Sequence, residues 1–215
     1  MGAKTWMLVY SKGVAVPPVL KARPELDREA STALAKMLFP SEVLKPFRDG
    51  SLAYTNPPDD EIVVGCFPGV SIVAAAEFGN DYPSQLPAEF REPILGNKVY
   101  LHAMHSVVDW FAFAVWHNGS LQRALSLSPD SGIIEDVGEK MQFELPYWSG
   151  EYPALDPEED PDEYPFPFHP LELGEAALAE FFGYNLEGPL NSNLFNPEDI
   201  RLMCFKRTKP WWKVW

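Results

Sequence analysis

Four side chains hold the obvious chemistry of this chain: Cys66, His102, His105 and Asp109. Imidazoles ligate metals or move protons near neutral pH, and a carboxylate orients an imidazole or joins it as a ligand. His102, His105 and Asp109 follow one another at offsets of three and four. On a helix those offsets place all three on one face, where they would hold a metal. On a strand His102 and His105 point to opposite faces and the site comes apart.

Cys66 opens a second route, nucleophilic catalysis with His102 or His105 as base and Asp109 as orienter. Its loop, Gly65-Cys66-Phe67-Pro68-Gly69, is flanked by glycines that would expose a thiol. The competing reading is a small buried hydrophobe, the commoner fate of a free cysteine. Asp130-Ser131-Gly132 reads as turn chemistry, since the GxSxG elbow is missing. HExxH, paired CxxC and GxxxxGK[ST] do not occur, and Gly65 to Gly69 makes no dinucleotide fingerprint. A glycosidase-like carboxylate pair stays open among 31 acids. No cofactor is expected, and no metal beyond the His102, His105 and Asp109 candidate.

The elements that would position these groups read as α+β, a mainly antiparallel sheet with a central meander packed by two or three helices. Thr5 to Tyr10 looks like a buried first strand, after which Pro17-Pro18 breaks the chain. Leu26 to Leu38 has helical spacing through Ala30, Leu34 and Leu38, with Asp27 or the segment before it as a cap. Glu42 to Phe47 reads as a short strand turning at Asp49-Gly50, and Glu61 to Val64 and Val70 to Ala75 as two more. Leu86 to Phe90 opens a short helix. Val99 to Trp116 is rich in β-branched and aromatic residues, which favours strand from about Val107. His117-Asn118-Gly119-Ser120 then contains an Asn-Gly hairpin signal, followed by alternation through Leu121, Leu125 and Leu127. A second turn lies at Ser128 to Gly132. The last helix covers Leu171 to Phe182 and the last strand Ile200 to Lys206.

Charge divides the 215 residues unevenly. Acids outnumber bases 31 to 17, for a net charge of -14. Glu151 to Pro165 carries seven acids, no base and four prolines, a solvated excursion or an acidic strap for a basic partner. From Arg201 onward there are five bases and no acid, interleaved with Trp211, Trp212 and Trp215. This cationic tail, 207–215, is expected to fold back on its own domain. The acidic body argues against nucleic-acid binding, because phosphate affinity needs surplus Lys and Arg. No membrane span is expected, since no apolar run approaches about 18 residues. Two cysteines without a disulfide framework, and no signal-peptide core, place the expectation in the cytoplasm. One domain over 1–215 is expected, with 151–165 an excursion.

Several strings carry a resemblance. They include Met1-Gly2-Ala3-Lys4-Thr5-Trp6, Gly65-Cys66-Phe67-Pro68-Gly69 and Ser84-Gln85-Leu86-Pro87. The longest runs from His102 to Trp116, joined by Leu125 to Glu135 and Phe168 to Leu178. Over about residues 1–188 the chain resembles an uncharacterised family of actinobacterial cytosolic proteins, a domain of unknown function. The resemblance implies no activity and no site residues, and the tail after Pro210 falls outside it.

With no catalytic motif at the right spacing, the expected function is a non-catalytic binding or regulatory module engaging a basic protein partner. Aromatic residues favour interfaces, so Tyr147, Trp148, Trp211, Trp212 and Trp215 are the candidate binding residues. The alternative is a hydrolase or metalloprotein using His102, His105 and Asp109, with or without Cys66.

Overall fold

The apolar runs of this sequence pair into sheet, and what distinguishes them is how many are buried on both sides. In the computed structural model, which describes residues 2–92, 94–154, 165–187 and 193–208, the strands are β1 (Lys4–Ser11), β2 (Val43–Ser51), β3 (Glu61–Phe67), β4 (Val70–Ala74), β5 (Lys98–His105), β6 (Trp110–His117), β7 (Ser120–Ser128), β8 (Gly132–Val137) and β9 (Arg201–Thr208). Among the described residues these nine form one sheet in the order β2-β9-β3-β4-β1-β5-β6-β7-β8. Every neighbouring pair is antiparallel. All seven residues of β3 are buried, as are the first seven of β6. A strand covered on both faces needs apolar side chains at odd and even positions alike, which explains runs such as Trp110 to Trp116.

Among the described residues four α-helices cover the sheet: α1 (Val16–Lys21), α2 (Arg28–Leu38), α3 (Leu145–Trp148) and α4 (Pro170–Phe182). One core packs Met7, Met104, Phe111 and Phe113 with Leu20 of α1 and Leu173, Leu178 and Phe182 of α4. The other packs Leu8, Leu101, Ala112 and Trp116 with Leu34, Ala35 and Leu38 of α2, and with Phe78 and Phe90 from the β4–β5 connection. Helix α4 lies close on the sheet because Gly174 has no side chain. A Cβ there would meet the Met104 sulfur and the Phe111 ring at 3.1 Å. Its end is closed by Gly183 in the left-handed conformation, φ 85°, as a C-terminal glycine permits.

The α+β class and the antiparallel meander from β5 to β8 stand as read from the sequence. The Asn118-Gly119 turn has φ 49° and 78°, both positive, as a tight hairpin of this kind requires. Local readings differ in four places. Pro17 and Pro18 do not interrupt the chain but start α1, where their missing N–H groups would have no helical partner anyway. Helix α2 begins at Arg28, because the Asp27 carboxylate accepts the Ala30 N–H at 2.9 Å. Asp49-Gly50 is not a turn but lies inside β2, whose irregularity is a bulge at Phe47. Val99 to Trp116 divides into β5 and β6, joined by a turn at 106–109 in which Asp109 has φ 46°.

Two arginines tie the sheet to its flanks. Arg123 of β7 is fully buried and forks onto the Glu144 carboxylate at 2.9 and 2.8 Å, while also pairing with Asp136 of β8. Arg207 of β9, on the opposite face, pairs with Glu42 and Glu77.

Candidate functional site

Strand alternation decides the fate of the histidine constellation. β5 remains regular through His105, and each of its residues from Lys98 to His105 pairs with β6. His102 therefore faces the α4 core with Tyr100 and Met104, whereas His105 faces the other side with Ala103. His102 is fully buried, with one ring nitrogen 2.7 Å from the Thr5 hydroxyl and the other 2.9 Å from the Gly174 carbonyl oxygen. A carbonyl only accepts, so Nε2 carries the proton and Nδ1 accepts from Thr5. Burial holds this imidazole down at about 4, even though its bond to Gly174 favours the charged form.

His105 is half-buried beside Trp6, and its Nδ1 accepts the Val107 N–H at 3.2 Å. Burial and then the charge of Lys4 lower its pKa. Asp109, in the β5–β6 turn, approaches neither histidine of the proposed set. Its carboxylate lies 3.6 Å from the imidazole of His169, the residue that caps α4. Among the described residues no group of three or more His, Cys, Asp or Glu side chains converges as a metal set would.

Cys66 sits on β3 rather than in an exposed loop, on the His105 side of the sheet, and is 7% exposed. Burial pushes its thiol up, against smaller opposing effects from the hydroxyls of Ser71 and Ser31. It lines a cleft of about 840 Å³ between α2 and the β3–β4 turn, shared with Lys12, Asp27 and Arg28. Cys204 is buried in the other core, and both cysteines are free thiols.

Tyr147 and Trp148 are brought to the surface edge of the α4 core by α3. The buried Glu144 organises this short helix. Its carboxylate accepts from Arg123, from the Met141 N–H at 2.7 Å and from the Trp148 indole at 3.4 Å. Trp148 packs edge-on against Phe168 at 4.9 Å, with the Lys140 ammonium 4.7 Å from its ring. Tyr147 meets the Tyr152 ring at 4.9 Å, tilted by 45°. Trp211, Trp212 and Trp215 lie outside the described residues, as does most of the acidic run after Ala154.

The two tyrosines form one wall of a groove of about 890 Å³ along α4, whose charged lining is Glu172, Glu175 and Glu187, with His169 also present and no lysine or arginine among the described residues. Glu175 is the unusual member. Burial pushes its carboxyl up to about 7, although it accepts the N–H groups of Leu186 and Glu187, and neighbouring Glu187 raises it further. Burial, then Glu172 and Tyr152, pushes the Tyr147 hydroxyl up to about 12. Glu172 and Glu175, three apart on α4, were not singled out in the sequence. The usable signal was the pairing of Tyr147 with an i, i+3 acidic stripe on the last helix.

No curated protein and no solved structure matches this chain. The model of the Family of unknown function (DUF6928) matches residues 5–205, and the chain belongs to that family.

Proposed function

We propose that this chain is a non-catalytic binding or regulatory module that engages a basic protein partner through the groove along α4. The observation that supports this most directly is the lining of that groove, where two tyrosines in tilted contact stand beside three glutamates, with no lysine or arginine among the described residues that line it. A lysine- or arginine-bearing segment complements it in charge, and tyrosine rings supply contact area at low entropic cost. Its partially protonated Glu175 adds to the fit, because an incoming cation would favour the ionised form that burial disfavours. In sequence, Tyr152 of the groove is followed closely by 155–164, which carries six further acids.

The hydrolase or metalloprotein alternative gains nothing from the geometry, since His102 and His105 face opposite sides and Asp109 pairs with His169. We read 1–215 as one domain of the cytoplasm, consistent with two free thiols and with no described helix long and apolar enough to cross a membrane.

The test is quantitative affinity isolation at native expression, comparing wild type with Glu172→Lys and Tyr152→Ala, both exposed positions. A stoichiometric basic protein should accompany wild type, elute with salt and be lost from both variants. No stoichiometric partner, or one retained equally by the variants, would overturn the reading.

A further inference from the structure

The side of the sheet that carries His105 holds a second arrangement, separate from the α4 groove. Trp6 of β1, His105 of β5 and Trp110 of β6 stand side by side across three adjacent strands. The Trp6 ring centroid lies 5.7 Å from His105, tilted by 34°, and 6.0 Å from Trp110, tilted by 46°. These rings border a pocket of about 360 Å³ whose lining also carries the exposed Asp81, Asp130 and Ser131 and the buried Ser128, whose hydroxyl accepts the Ser131 N–H at 3.2 Å. Val108 and Ile134 complete the apolar part of the wall.

The rings are held from behind. The Trp6 backbone donates to the Thr55 carbonyl at 2.7 Å and accepts from the Ala75 N–H at 3.1 Å. Gly79 lies against the Trp6 ring so closely that a Cβ would come within 2.9 Å of it. The Trp110 indole N–H donates to the buried Ser126 hydroxyl at 3.2 Å, which fixes that ring as well. These contacts hold both indoles in place.

We propose that this pocket is an aromatic cage for a methylated ammonium group. Tryptophan faces attract cations through their quadrupole, more strongly where water is excluded. An ammonium whose N–H groups have been replaced by methyls has no donors to leave unpaired when it enters such a box. Asp81 and Asp130 supply the countercharge at the rim, and His105 forms the third ring without adding charge, because burial and Lys4 disfavour its protonation. Lys4, opposite His105 on β1, lines a neighbouring cavity that shares Trp6 and Gly79 with this one and in which Asp59 stands beside it. The volume admits a small headgroup or one modified side chain, not an extended peptide.

Isothermal titration and the indole N–H resonances of the full chain distinguish this site from ordinary apolar binding. Choline should bind saturably and shift the signals of Trp6 and Trp110. Its neutral isostere 3,3-dimethylbutan-1-ol should bind at least about tenfold more weakly. Glycine betaine should also be weaker, because its carboxylate meets Asp81 and Asp130. Trp6→Ala should abolish choline binding. The surface double variant Asp81→Asn/Asp130→Asn, which leaves the core intact, should reduce it several-fold. A peptide bearing trimethyllysine tells the two sources of this chemistry apart, since the source is whichever of peptide and choline binds more tightly. Equal binding of choline and its isostere, no saturable binding of either ammonium probe, or unchanged binding by both variants would overturn the proposal.

Discussion

His102 of β5 donates from Nε2 to the backbone carbonyl oxygen of Gly174, across 2.9 Å, and so joins the sheet to the middle of α4. The bond depends on the glycine, which lets the helix backbone approach the strand. It also defines the imidazole as a neutral, buried strut accepting from Thr5 on its other side.

That neutrality makes stability sensitive to acid. The His102 pKa falls from 6.5 in an open chain to about 4 in the fold, so below 6.5 the unfolded chain binds a proton that the native state refuses. Its contribution is complete above about 6.5 and is lost as pH falls toward 4, to the extent of about 3 kcal/mol. Urea unfolding of wild type and His102→Gln at pH 7.5 and 4.5 isolates the effect. The variant should be less stable at the higher pH, and the gap should narrow markedly at the lower one.

Arg123 and Glu144 form the one fully buried ion pair among the described salt bridges. Taking one partner away leaves an unpaired charge in a core, so Arg123→Met alone should cost about 3–5 kcal/mol. The double change Arg123→Met/Glu144→Leu should cost less than the sum of the single changes, measured as a double-mutant cycle by urea denaturation. Because Glu144 also anchors Met141 and Trp148, the single variants should release α3 and with it the Tyr147 wall of the groove. Loss of the basic partner should then accompany the loss of stability.

Glu175 has the opposite pH signature. Its folded pKa of about 7 exceeds the ordinary 4.5, so between those values the native state holds a proton that the unfolded chain gives up. Stability from this group is therefore present below about 4.5 and declines as pH rises through 7. Relative to wild type, Glu175→Gln should gain by about 3 kcal/mol in thermal or urea unfolding between pH 4.5 and pH 8. Partner binding moves the other way and should strengthen with pH over the same interval, since the cation meets an ionised Glu175.

How much of this was legible in the sequence varied with the range of the interaction involved. The β6–β7 hairpin was, because Asn118-Gly119 is a local signal that sets its own register, with His117 opposite Ser120. The cap at Asp27 and the α4 helix were legible for the same reason. The insertion of β9 between β2 and β3, and of β1 between β4 and β5, was not, since those pairings join residues far apart in the chain. The site followed the same division. His102 and His105 were visible as residues, but their separation depended on β5 staying extended to its last residue, which the pairing with β1 and β6 enforces. The cage of Trp6, His105 and Trp110 exists only once three strands are in register, and no short segment contains it.

The remaining thiol question has a direct answer. Cys66 lies on a fully buried strand, and burial keeps its sulfur protonated well above neutrality. A nucleophilic cysteine needs the reverse, a depressed pKa and an open approach. In a Cys204→Ser background, iodoacetamide at pH 7.5 should therefore label native Cys66 at least about tenfold more slowly than the same protein in urea. His105, on the same face, offers no help as a base, because its Nδ1 is taken by the Val107 N–H and its ring belongs to the Trp6 cluster. Labelling of the native protein as fast as in urea would mean that the cleft beside α2 opens to the thiol. Cys66 chemistry would then have to be weighed ahead of the binding module.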